Sequence, residues 1–171
     1  MELYHLGLTV RDIKASYRFY SEVVGLRPQN TGAAENADAE NPDEPALELV
    51  KGADSGGVDF FAVRSDAFDK LTNNPGCEIK FLYLQSEDGK FLLQLVEYVD
   101  GGGEPAPLGH NRSGSPHLSF FVPDVAAKRA EVEARRDVKI TSDTIEVAPG
   151  MFTFYVEDPD GVPVEFLEVR K

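Results

Sequence analysis

The chain has 171 residues and one cysteine, Cys77, which suits a single domain without an intrachain disulfide; a domain of this length buries roughly 70% of the surface its unfolded chain exposes. A formal charge of −13 opposes phosphate backbones and anionic lipid, and no run approaches the ~18 apolar residues that cross a bilayer, so neither nucleic acid nor a membrane is expected as a partner. The N-terminus carries no basic segment followed by an apolar core, and the cytoplasm is the expected compartment.

Positions 3 to 10 alternate as a strand, with Leu6, Leu8 and Val10 on one face and His5, Gly7 and Thr9 on the other. Asp12 then caps a predicted helix in which Ile13, Tyr17, Tyr20 and Val24 recur at helical spacing before Gly25 ends it. Positions 30 to 57 are acidic, with Glu35, Asp38, Glu40, Asp43, Glu44 and Glu48 all preceding Lys51. They read as a solvated surface insertion and secondarily as a lid. Strands are predicted from Cys77 to Gln85 and from Phe91 to Tyr98, joined at Glu87-Asp88-Gly89. Gly and Pro mark 100–116 as a linker. Beyond it come a strand from His117, then Pro123 and, at the helix start, Asp124 preceding a helical stretch from Val125 to Arg136, and strands Met151 to Glu157 and Val162 to Val169 around Asp158-Pro159-Asp160-Gly161.

The chain is therefore written twice. His5-Leu6-Gly7-Leu8-Thr9-Val10-Arg11-Asp12-Ile13 lies over His117-Leu118-Ser119-Phe120-Phe121-Val122-Pro123-Asp124-Val125 at an offset of 112, and Leu93-Gln94-Leu95-Val96-Glu97 over Val164-Glu165-Phe166-Leu167-Glu168 at an offset of 71. The expected organisation is one bimodular domain over 1–171, with a first module at 1–99, a linker at 100–116 and a second module at 117–171. One helix on a few strands leaves a sheet face uncovered, so pairing the two halves into one curved sheet solves the burial problem. Strand parity then sends His5, Gln94, His117 and Glu165 to the face away from the helices, where they are expected to meet. Each of the four taken alone is accounted for by ordinary burial or solvation, but packing does not require polar groups at all four equivalent positions. Glu97 and Glu168 share the parity of the apolar side and are expected at the sheet margin.

These motifs resemble the vicinal oxygen chelate superfamily, which includes glyoxalase I, methylmalonyl-CoA epimerase, extradiol dioxygenases and the fosfomycin and bleomycin resistance proteins. The resemblance rests on His5-Leu6-Gly7-Leu8-Thr9-Val10 with Phe19-Tyr20 and Val24-Gly25-Leu26, on Leu93-Gln94-Leu95-Val96-Glu97-Tyr98, on His117-Leu118-Ser119-Phe120, and on Glu157-Asp158-Pro159-Asp160-Gly161 running into Val164-Glu165-Phe166. It implies an α+β fold of two βαβββ modules that pair their mixed sheets into a curved, incompletely closed barrel with helices outside. It also implies a divalent metal at His5, Gln94, His117 and Glu165. Glyoxalase I usually has a carboxylate where this chain has Gln94, whereas some methylmalonyl-CoA epimerases have Gln there. The epimerase's separate acid/base carboxylate would come from the middle of the first module, with Glu48 and Glu78 as candidates. Extradiol dioxygenases use two His and one Glu and add acid/base His and Tyr residues that find no match here; His110, in the linker, is a candidate for such a group but reads first as an exposed loop histidine.

Two imidazoles, an amide and a carboxylate suit one ion of Zn, Ni, Co, Mn or Fe with room for substrate oxygens. The formal site charge of +1 favours an anionic, bidentate oxygen ligand. The expectation is a metal-dependent lyase or isomerase of glyoxalase or epimerase type, acting on a small molecule with adjacent oxygens through an enolate or enediolate. Glu165 is the candidate base as well as a ligand. Ring-opening oxygenation of a catechol and non-catalytic binding of a small molecule are the alternatives, and a homodimer is a candidate assembly.

Overall fold

A computed structural model describes residues 2–29, 48–55, 57–100, 102–106 and 108–170. Most of the acidic insertion, 30–47, lies outside the described residues. The chain divides into two compact units, Met1–Glu104 and Pro105–Lys171.

The first unit opens with β1 (Leu6–Thr9) and α1 (Ile13–Arg18), which runs on as a π-helical stretch, Phe19–Val24. Short strands β2 (Arg27–Pro28) and β3 (Glu48–Val50) follow, then α2 (Gly52–Ser55), β4 (Phe60–Val63), α3 (Asp66–Thr72), β5 (Ile79–Gln85) and β6 (Leu92–Tyr98). The sheet order is β1-β6-β5-β4-β3, with β2 also on β5. Only β1 runs parallel to its neighbour, β6. The second unit has β7 (Leu118–Phe121), α4 (Val125–Ala134), β8 (Lys139–Ile140), β9 (Ile145–Ala148), β10 (Met151–Glu157) and β11 (Pro163–Val169). Its order is β7-β11-β10-β8, with β9 also on β10 and β7 parallel to β11. The fold is mixed α+β with two open sheets.

The repeat is legible in the elements themselves. β7, the start of α4, and β8 stand 112 residues after β1, the start of α1, and β2. The hairpin β10/β11 follows β5/β6 at offsets of 72 and 71, because its turn is one residue shorter. In each unit one face of the hairpin is apolar and fully buried: Leu84, Leu93 and Leu95 in the first, Phe154, Val156, Val164 and Phe166 in the second. Helix α1 lies against β6, and α4 against β10 and β11. Burying one such side chain contributes about 1.5–3 kcal/mol, and alternation along the strand leaves the other face to polar groups.

Both helices begin alike. Asp12 accepts from the N–H of Lys14 and Ala15, and Asp124 from that of Ala127. The N–H of the first helical residue goes to a carboxylate on the last strand of its own sheet: Ile13 to Glu97 Oε2 at 2.9 Å, Val125 to Glu168 Oε2 at 2.8 Å. These two glutamates thus tether helix to sheet instead of emerging at the margin. The helix period also departs from expectation. Ile13, Ser16, Phe19, Tyr20 and Val23 are buried, whereas Tyr17 and Val24 are only partly so. The buried set Ile13, Ser16, Tyr20 and Val23 keeps a spacing of three and four residues, and its shift from Tyr17 to Ser16 already falls within α1, ahead of the π-helical stretch. Gly25 closes it at φ 94°, a left-handed conformation that glycine adopts without penalty.

Candidate metal and active site

In the first unit the polar face of the hairpin is organised around Tyr83. Tyr83 stands opposite Gln94 in the β5/β6 register, and Gln94 Nε2 donates to the Tyr83 hydroxyl at 2.9 Å. Gln94 in turn stands opposite Gly7 of β1. His5, two residues earlier, meets the Tyr83 ring edge-on with centroids 5.7 Å apart. Its Nδ1 is buried without a hydrogen-bond partner. Burial, and then the neighbouring Tyr4, raise the Tyr83 pKa above its ordinary value, so the phenol is neutral at physiological pH.

The second unit repeats this around Tyr155. Tyr155 stands opposite Glu165 in β10/β11, Glu165 stands opposite Ser119 of β7, and the His117 and Tyr155 rings meet edge-on at 6.1 Å. Thr153 Oγ1 donates to Glu165 Oε1 at 2.8 Å. Burial raises the Tyr155 pKa, and the charge of Glu165 and a hydrogen bond to it raise it further. The linker adds a residue: His110 packs edge-on against Tyr155 with centroids 4.5 Å apart. It is exposed to solvent, yet it belongs to the His117–Tyr155–Glu165 group.

His5 with Gln94, and His117 with Glu165, are therefore brought together within their respective units, each pair around a tyrosine. Among the described residues no three His, Cys, Asp or Glu side chains form a group that could hold a metal. Each unit offers two of the four expected donors. Within each unit the donor chemistry fits a divalent ion: an imidazole with an amide in the first, where the buried Nδ1 of His5 lacks a partner at a cost in free energy that a bond would offset, and an imidazole with a carboxylate in the second. Glu78 instead pairs with Arg64 at 3.4 Å, and Glu48 is exposed on β3 opposite Ala62. Neither Tyr83 nor Tyr155 figures among the residues read as ligands or bases, although parity could have found them: each is the polar member between two buried apolar neighbours, Leu82 and Leu84 or Phe154 and Val156.

The model of the Glyoxalase/Bleomycin resistance protein/Dioxygenase superfamily matches residues 2–166. The chain belongs to that superfamily. It is 25% identical over 165 residues to the uncharacterized protein YwbC of Bacillus subtilis (strain 168), covering 96% of this chain and 94% of YwbC. The fold is shared with a glyoxalase family protein of Bacillus cereus, at TM-score 0.72 and 12% identity over 100% of this chain and 95% of the other. It is shared too with a glyoxylase/bleomycin resistance protein/dioxygenase domain of Frankia sp. EAN1pec, at TM-score 0.59 and 20% identity over 99% and 98%.

Proposed function

We propose that this protein is a metal-dependent enzyme that moves a proton next to a carbonyl of a small molecule carrying adjacent oxygens, in the manner of a glyoxalase or an epimerase, with His5, Gln94, His117 and Glu165 as metal ligands. The observation that carries this reading is the duplicated His–Tyr–Gln/Glu group, polar at every equivalent position on the sheet face turned from the helices. A bound divalent ion would supply Lewis-acid stabilisation of the negative charge that develops on the substrate oxygens.

The remaining work falls to the chain. Glu165 is the base that takes the proton from carbon and returns it. Thr153 and Tyr155 hold its carboxylate in place, and the hydrogen bond that the Thr153 hydroxyl donates to Oε1 leaves the other lone pairs for the reaction. Tyr83 orients the amide of Gln94, which as a neutral donor keeps the site cationic. A second reading, oxygenation of a catechol, is favoured by the contact of His110 with Tyr155, which sets an imidazole beside a phenol.

The test is twofold. Protein purified without chelator is expected to carry a divalent ion that His5→Ala and His117→Ala lose. Incubated anaerobically in D2O with 2-oxo thiohemiacetals and acyl-CoA thioesters, it is expected to place deuterium on the carbon beside the carbonyl. Oxygen uptake with a catechol, and no exchange with any carbonyl substrate, would instead establish the second reading.

A further inference from the structure

Among the described residues four half-buried or buried side chains keep a buried polar atom without a hydrogen-bond partner: His5, Ser16, Ser21 and Gln29. The two serines belong to the helical stretch of the first unit. The other two flank Tyr83. Gln29 directly follows β2, which pairs Arg27 with Gln85 and Pro28 with Leu84, and its own N–H donates to the Tyr83 carbonyl at 2.9 Å. Residues opposed across an antiparallel pair point to the same face. Gln29, Tyr83, Gln94 and Gly7 therefore form one transverse row across β2, β5, β6 and β1, with His5 at the Tyr83 ring.

The row recurs in the second unit as Thr141, Tyr155, Glu165 and Ser119, since Thr141 donates its N–H to the Tyr155 carbonyl at 2.9 Å. Thr141 lies 112 residues after Gln29, the offset that also relates β8 to β2. The position next to the tyrosine is thus a regular member of the polar face. In the first unit alone it carries an amide whose Oε1 is withdrawn from water and unpaired. A buried acceptor left in that state costs free energy in the free protein, which a bound donor would recover.

We infer that Gln29 is a substrate-binding residue whose amide oxygen accepts a hydrogen bond from a hydroxyl or amide N–H of the bound molecule. This rests on the reading of the site given above and narrows its substrate class. Gln29 and Gln94 are separated by two strand spacings, ~10 Å between backbones. The substrate is then an elongated molecule with adjacent oxygens at one end and a hydrogen-bond donor ~10 Å along it, which small 2-oxo acids and aldehydes lack.

Hydroxamates test this, because they present two neighbouring oxygens to a divalent ion and bind without turnover. Calorimetry on the Zn-loaded protein would compare acetohydroxamate with a chain-extended pair that ends, ~10 Å from the hydroxamate, in a primary amide or in a methyl group. The amide-ended ligand is expected to bind ~10-fold tighter than the methyl-ended one. Gln29→Met should abolish that preference, Gln29→Glu should retain it, and acetohydroxamate should bind all three proteins equally. The unliganded Gln29→Met protein should melt at or above the wild-type temperature, since it loses an unpaired buried acceptor. Equal binding of the extended pair to wild type overturns the role of Gln29 and leaves the metal reading standing. Failure of every hydroxamate to bind overturns both. A clear drop in melting temperature of Gln29→Met would give its amide a structural partner and likewise overturn the inference.

Discussion

Glu165 and Gln94 hold equivalent positions and differ by a single charge, which makes them the sharpest probe of the proposed chemistry. Gln94→Glu keeps an oxygen donor and its shape but adds a negative charge, so metal affinity should hold or rise while turnover falls. Glu165→Gln removes the one carboxylate of the set and the base together, and should weaken the metal and lower turnover by ~10²- to 10⁴-fold. Matched metal titrations and rates decide the matter, and a fully active Glu165→Gln enzyme would falsify the assignment of Glu165 to either role. The four polar positions at the ends of the repeat were legible in the sequence because strand parity and two internal offsets suffice to align them. Tyr83 and Tyr155 lie open to the same parity argument, each between two buried apolar neighbours, whereas Gln29 does not, because its place depends on which strands neighbour one another. The pairing of β2 with β5 joins residues far apart in the chain, and no local periodicity encodes it.

At the level of elements, the best-read feature was the start of each helix, where Asp12 and Asp124 both cap as expected. Asp12→Ala and Asp124→Ala should each destabilise by about 1 kcal/mol, measured by urea unfolding. The least well read were Glu97 and Glu168. Their parity correctly put them on the helix side, but only the tertiary approach of a helix end supplies the N–H each accepts. The Glu168 pKa lies below its ordinary value, first through Arg170 and then through the Val125 N–H. A carboxylate with a folded pKa below its unfolded one contributes stability that is complete above the unfolded value, ~4.3, and is lost as pH falls through the folded value. Acid should therefore release the start of α4, and the Val125 amide should lose protection against hydrogen exchange as pH falls below the ordinary carboxylate range. Glu168→Gln, which keeps the acceptor but not the charge, should flatten that dependence. A Val125 amide equally protected at low pH in both proteins would remove the tether from the account.

For the molecule as a whole, the proposed ion should act as a ligand of the native state. At a free concentration a hundred times its Kd it would contribute about 2.7 kcal/mol, which in a chain of this size corresponds to a rise in Tm of roughly 5–10 °C that a chelator reverses. The same chelator should leave the Tm of His117→Ala unchanged. Among the described residues no helix is long and apolar enough to cross a membrane. The exposed surface in the second unit does include large apolar side chains, Phe121 and Val147 among them. The substrate is not legible in a single chain, and within the stretch 30–57, expected as a solvated insertion, residues 48–50 instead form β3 on the edge of the sheet, a pairing with β4 that acidic composition does not encode.

The repeat has one more consequence, for how such a site could come to hold a single negative charge. Two identical halves would carry the same residue at the closing position, giving either two carboxylates or none. Joined in one polypeptide, the halves are free to drift apart at chosen positions while the framework stays matched. That is the pattern here: Asp12 with Asp124, Glu97 with Glu168 and Tyr83 with Tyr155 are alike, whereas Gln94 faces Glu165, Gly7 faces Ser119 and Gln29 faces Thr141 in the alignment. Duplication preserved these framework positions, while the positions across the centre of the polar face differ from one unit to the other.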